Sequence, residues 1–269
     1  ISKQGALVVT AIAFIAVLSG CSFATGRAEV SDTLSSPAAQ TEALDGDKKT
    51  LKVMASFYPI YDFAVKIGGD RAQVTNMVPS GTEPHDWEPA ATDLKNLEEA
   101  DLFLYSGAGM EHWVEDVLKS LDNKELVTVE ASGNLALRKE HTDEHAKEEQ
   151  GHDHGDYDPH VWLNPMNAKK EMENIRDGFI EADPANRAYY EANYETYAAG
   201  FDELDRKYRE TLSALPHKDI VVAHEAFGYL CDAYGLNQVG IEGLSPDSEP
   251  DPARMAEVID FVRANGVKV

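Results

Sequence analysis

The chain has 269 residues, of which 43% are hydrophobic, and 48 acids against 24 bases give a formal charge of −24. That balance excludes a nucleic-acid binder, which must neutralise phosphates, and disfavours an anionic membrane surface; cations are the natural partners of such a field. The apolar content suits a packed globular chain with room for two lobes of roughly 100–150 residues each.

Residues 1–21 carry Lys3, an apolar run from Ala6 to Leu18, and then Leu18-Ser19-Gly20-Cys21. The run is too short to span a bilayer but suits a signal-peptide core, and the tetrapeptide reads as a bacterial lipobox with Cys21 as the lipidated residue. The expected location is therefore extracytoplasmic, anchored to the cell membrane through lipid. Lipidation leaves Cys231 alone, so no internal disulfide is expected; Cys231 sits in a helical apolar pattern as a buried small residue. The chain opens on Ile1 rather than Met, which reads as a clipped front. Residues 22–50, rich in Ser, Thr, Ala, Asp and Glu, read as a flexible tether.

From Leu51 strands and helices alternate. "LKVMASF" predicts a strand, "IYDFAVKIGGD" a helix stopped by glycine, and "AQVTNMV" a strand leading into the loop "PSGTEPHDWEP". "TDLKNLEEA" predicts a helix capped by Thr92 or Asp93, "DLFLYSG" a strand, "MEHWVEDVLKSL" a helix and "LVTVEA" a strand. The alternation implies an α/β fold with a parallel sheet covered on both faces, in which ligands bind at loops after the strand C-termini. The loop carrying His85 has that position.

Residues 139–157, "KEHTDEHAKEEQGHDHGDY", form a charged low-complexity insert. Its His141, His145, His152 and His154 could bind metal weakly, or the loop could simply be a solvated surface. Residues 188–215 show one apolar stripe: Tyr190, Tyr194, Tyr197, Phe201, Leu204, Tyr208, Leu212 and Leu215. The stripe predicts a helix of roughly 40 Å, long enough to join two lobes as a spine between residues 51–187 and 216–269. Beyond it, "DIVVAHEAF" predicts strand into helix, "NQVGIEGL" a strand and "DPARMAEVIDFVRANGV" a helix. The second lobe is then shorter than the first and is expected to be truncated.

His85 lies between Pro84 and Pro89, His160 in "DPHVWLNP", and His224 at the end of the apolar run "VVAH". Imidazole is a common zinc ligand, and proline-fixed loops lose little entropy when a ligand binds. By spacing alone the triad is a weak signal, since a lone histidine is more often a capped or hydrogen-bonded structural group. No H-x-x-x-H pair on a helix supports protease chemistry. His112 and His217 read as structural or exposed.

The segments "PSGTEPHDWEPAATDLKNLEEADLFLYSGAGMEHWVE", "DPHVWLNPMNA" and "VVAHEAFGYL…YGL…GIEGLSPDSEPDPARM" resemble the cluster A-I solute-binding lipoproteins of bacterial zinc and manganese ABC transporters. The resemblance covers nearly all of Leu51 to Val269. It implies two α/β lobes joined by one long helix, with metal held between them and passed to a membrane permease and its ATPase. It further implies a receptor rather than an enzyme, acting as a monomer. His85 matches the first metal ligand in P-H-x-W/Y-E-P, His160 the second in D-P-H-x-W, and His224 the third. Histidine rather than glutamate at the third place, and the His-rich insert, look like the zinc branch; manganese is the alternative, since added carboxylates suit that harder ion. The family's fourth ligand falls beyond Val269 or is replaced by water; Glu242, Asp247 and Glu249 do not match its motif. A three-histidine site with water also describes some zinc hydrolases, for which Glu225 is the one nearby base. Adhesion is a further role attached to such proteins.

Overall fold

Alternate residues of β1 (Leu51–Ala55) serve different cores, because successive strand side chains point to opposite faces. The computed structural model describes residues 50–139, 157–244, 246 and 252–267. Leu51, Val53 and Ala55 join the larger core; Met54 faces the smaller one. The same split recurs in β3 (Leu102–Tyr105), where Leu102 and Leu104 enter the large core and Phe103 the small one. With β2 (Ala72–Asn76) and β4 (Val127–Glu130) they form a four-stranded parallel sheet in the order β2-β1-β3-β4. Both faces are covered, as parallel sheets require.

The small core lies under α2 (Ala91–Glu98) and α3 (Val114–Ser120). Two details differ from the sequence reading. The N-cap of α2 is Ala90, not Thr92 or Asp93; Asp93 sits one turn in and accepts from the Ala90 N–H at 2.9 Å. And α3 begins at Val114 rather than Met110, because the preceding residues turn Glu111 back towards the sheet. At the ends of β1 and β3, where the strand order reverses, the Glu111 carboxylate accepts from Ser56 Oγ (2.5 Å), Ser106 N (2.8 Å) and Gly107 N (2.9 Å). Gly107 has φ +81°, and a Cβ there would stand 2.3 Å from Glu130 Oε1, so only glycine fits.

The large core is closed by α1 (Tyr58–Gly68), α4 (Pro165–Ala182) and the start of α5 (Arg187–Ser213). Helix α4 was not read from the sequence. Its signals are present, however: Asn164 caps it by accepting from Met166 N at 2.9 Å, Pro165 opens it, and Ala168, Met172, Ile175 and Phe179 form a buried stripe. Met172, Ile175 and Phe179 are fully buried, each contributing about 1.5–3 kcal/mol of transfer free energy.

Helix α5 has 27 residues, about 40 Å at 1.5 Å each. Its stripe is not buried throughout. Tyr190 and Tyr194 enter the core and Phe201 meets Phe63 edge-on at 5.8 Å, but Tyr197 is 42% exposed. Leu215 lies past the helix end and is 40% exposed. The large core ends partway along α5, and towards its far end the helix packs against the next one: Tyr208 meets Tyr234 at 5.3 Å. That helix, α6 (Gly228–Tyr234), follows β5 (Asp219–His224) and precedes β6 (Asn237–Glu242); the two strands pair in parallel as a second sheet, with α7 (Pro252–Asn265) after them. Cys231 is buried in α6, and burial pushes its thiol up to about 11, which leaves it unreactive.

Glu171, on the buried side of α4, is the most unusual core residue. It has no exposed surface, and neither carboxylate oxygen has a hydrogen-bond partner among the described residues. Burial, aided by the charge of Glu111, pushes its pKa up to about 8. Glu111 is also raised by burial, but its three donors favour the anion, so the pair keeps its charge on Glu111 and its proton on Glu171. The unfolded chain gives up that proton above about pH 4.5, so Glu171 lowers stability progressively as pH rises towards 8 and no further beyond. The stability of Glu171→Gln relative to wild type is therefore expected to grow from pH 5 to pH 8 in denaturant titrations and then level off; a constant difference across that range contradicts a neutral Glu171.

Candidate metal centre

Each of the three histidines sits at the end of a strand or on a fixed loop, and all three meet. His85 lies on the loop after β2. Its start is tied to β1 by Met77 N to Ala55 O (2.8 Å) and Val78 N to Ser56 O (3.0 Å), and its far side by Trp87 packed edge-on against Trp113 at 5.5 Å. His160 follows Pro159 and opens a short 3-10 turn, Val161–Leu163, whose Trp162 wedges between the His160 and Phe57 rings. His224 is the last residue of β5 and comes from the second sheet.

One nitrogen from each imidazole lies within 4.8 Å of the other two. His85 Nε2 and His160 Nε2 are 3.2 Å apart. Two nitrogens bound at about 2.0–2.1 Å to one tetrahedral ion stand roughly 3.3 Å apart, so this edge has the dimension of a zinc site. His85 and His160 are buried, and His224 is partly so.

The orientation of His160 is set by Asp158. This carboxylate has no exposed surface; its Oδ1 accepts from the His160 backbone N–H at 3.0 Å and from His160 Nδ1 at 2.9 Å. Committing the Nδ1 proton to Asp158 leaves Nε2 with its lone pair aimed into the cluster, and raises the basicity of that nitrogen. Arg138 Nη1 balances the buried charge from 3.4 Å. In sequence the "DPH" motif marks His160 but not this task of Asp158, for which an acid two residues before a candidate ligand is the available signal.

Burial lowers the pKa of His224, with His160 adding to the effect, while Glu83, Glu242 and Asp158 pull it the other way. The His224 ring is thus suited to the neutral, ligating form, with acids close enough to stabilise a dication. Glu242 stands directly opposite His224 in the β5–β6 ladder, yet among the described residues no carboxylate joins the three nitrogens.

The other candidates lie elsewhere. His112 is exposed and 3.7 Å from Glu88, and His217 is exposed. Glu225 is paired with Arg254 at 3.7 Å. Cys21, His141, His145, His152, His154, Asp247 and Glu249 fall outside the described residues. The feet of the insert, Lys139 and Tyr157, form an antiparallel bridge just before Asp158.

Residues 53–269 match the family model ZnuA, zinc-uptake complex component A, periplasmic. The zinc-binding lipoprotein AdcA of Streptococcus pneumoniae (strain ATCC BAA-255 / R6) is 40% identical over 220 residues, which is 81% of this chain and 44% of that protein. The high-affinity zinc uptake system protein ZnuA of Bacillus subtilis (strain 168) is 41% identical over 226 residues, 83% of this chain and 70% of the relative. The crystal structure of the Zn(II)-bound ZnuA-like domain of Streptococcus pneumoniae AdcA superposes with a TM-score of 0.69 at 39% identity, covering 81% of this chain and 76% of that one. The chain belongs to the ZnuA family and has the α/β architecture of those structures. It spans less than half the length of the pneumococcal relative.

The Asp158 contact predicts the tautomer of His160 in the metal-free protein. Nitrogen-15 correlation spectra at pH 8 are expected to show its Nδ1 protonated and its Nε2 bare; protonation on Nε2 instead contradicts the orientation described.

Proposed function

We propose that this chain is an extracytoplasmic zinc receptor that captures Zn2+ and delivers it to an ABC importer, a membrane permease with its ATPase. The carrying observation is the convergence of His85, His160 and His224 within 4.8 Å, with the His85–His160 edge at 3.2 Å. Three imidazoles form a nitrogen donor set, which favours zinc over the harder manganese ion. A fourth position is left for water or a carboxylate. The named zinc-binding relatives support the same choice.

In this reading Cys21 carries the lipid that keeps the protein at the outer face of the membrane, and residues 22–50 give it reach towards the permease. The formal charge of −24 raises the local concentration of cations, and the insert histidines collect ions at low affinity. Binding draws on the loops after β2 and before α4 for two ligands and on the end of β5 for the third, so a modest separation of these elements releases the ion. The hydrolase alternative has less support, because Glu225, the base it would need, is engaged by Arg254. No catalytic role is proposed.

The full chain is expected to bind one zinc tightly in competition with a chelator, and His160→Ala to weaken that binding tenfold or more, as about tenfold is the least expected from loss of a ligand's support alone. Unchanged affinity in this variant removes His160 from the site. Deleting residues 139–157 is expected to leave the tight site; its loss assigns the ligands to the insert instead.

Because the imidazoles ligate in their neutral form, affinity is expected to hold near pH 8 and to fall below about pH 6 as protons compete. Affinity independent of pH from 5 to 8 rules out an imidazole site.

A further inference from the structure

Arg138 is the last residue before the insert, and it reaches both halves of the metal centre. Its Nη1 lies 3.4 Å from Asp158 Oδ2, and its Nε lies 3.0 Å from Asp232 Oδ2 on α6. Its backbone N–H donates to Tyr229 Oη at 2.9 Å, and that hydroxyl donates to the Asp158 carbonyl at 2.9 Å. Its own carbonyl accepts from Asp158 N at 2.8 Å. One arginine therefore touches the carboxylate that orients His160 and the helix that follows His224. Gly228, at the start of α6, permits this approach: a Cβ there would stand 2.5 Å from Asp158 Oδ2 and 2.7 Å from Arg138 Nη1.

We propose that Arg138, Tyr229 and Asp232 form a latch between the two sheets that couples departure of His224 from the metal to the grip of Asp158 on His160, an inference that rests on the zinc reading above. His224, Tyr229 and Asp232 share one continuous strand–turn–helix segment. When this segment withdraws, the Tyr229–Asp158 and Arg138–Asp232 contacts break with it. The guanidinium is then left with Asp158 as its carboxylate partner and leans on it. Charge drawn towards Arg138 is withdrawn from the His160 Nδ1–H, so Nε2 becomes a weaker donor to the metal. Opening thus loosens the ligands that stay behind as well as the one that leaves. In the closed arrangement Asp232 shares the guanidinium and Asp158 is freer to serve His160.

Asp232 is 66% exposed, and Tyr229→Phe keeps the ring and removes only the hydroxyl, so both positions can be tested without emptying the core. Zinc release from the full chain into excess chelator, followed by stopped flow, is compared for wild type, Tyr229→Phe, Asp232→Asn and the double variant. The latch predicts a release rate about tenfold faster in each single variant, with association within about twofold of wild type. It also predicts that the double variant is no faster than the faster single one, because the contacts open as a unit. Unchanged release in both single variants overturns the latch while leaving the zinc site standing, as does a lowered Tm with unchanged release. Failure of the wild type to bind zinc overturns the reading beneath it, and the latch with it.

Discussion

A carboxylate with no exposed surface decides which nitrogen of His160 faces its neighbours. Asp158 can hold that position because three groups share its charge: the His160 backbone N–H, the His160 ring and Arg138. An unpaired buried anion would instead take up a proton and release the ring. From this one constraint follow the aim of His160 Nε2, its 3.2 Å separation from His85 Nε2, and the need for α6 to approach closely enough to reach Arg138. The metal centre is thus a product of buried electrostatics as much as of the three rings.

The sheet topology explains why the cluster stands where it does. In doubly wound sheets the crevice at the reversal of strand order is the natural ligand site. Here Glu111 fills it, saturated by Ser56, Ser106 and Gly107, with the neutral Glu171 buried behind. The histidines therefore converge further out, on the loops after β2 and before α4, where β5 brings His224 to meet them. Helix α5 packs into the large core at one end and against α6 at the other, linking the two sheets through a helix rather than through pliable strands. Such a link favours small, concerted displacements over wide opening.

The parallel α/β alternation was legible because strands buried on both faces leave short apolar runs, such as "LFLY", between amphipathic helices. The long helix was legible from its aromatic spacing, although the fate of each aromatic was not: Tyr197 and Tyr190 look alike in sequence, and only the limit of the core separates them. Helix α4 escaped notice because "KKEMENIRDG" presents its charges more loudly than its buried Met172 and Ile175. The meeting of three distant histidines rested on motif resemblance, since spacing alone does not bring together residues from two sheets. Contacts such as Arg138 with Asp232, and the capping of the switch point by Glu111, depend on tertiary approach and left no local pattern to read.

The most direct test is X-ray absorption at the zinc edge of the zinc-loaded full chain. Three imidazole nitrogens at about 2.0–2.1 Å, with one further light donor, are the predicted first shell. A shell dominated by carboxylate or water oxygen, with fewer than two imidazoles, would mean that His85, His160 and His224 do not share the ion.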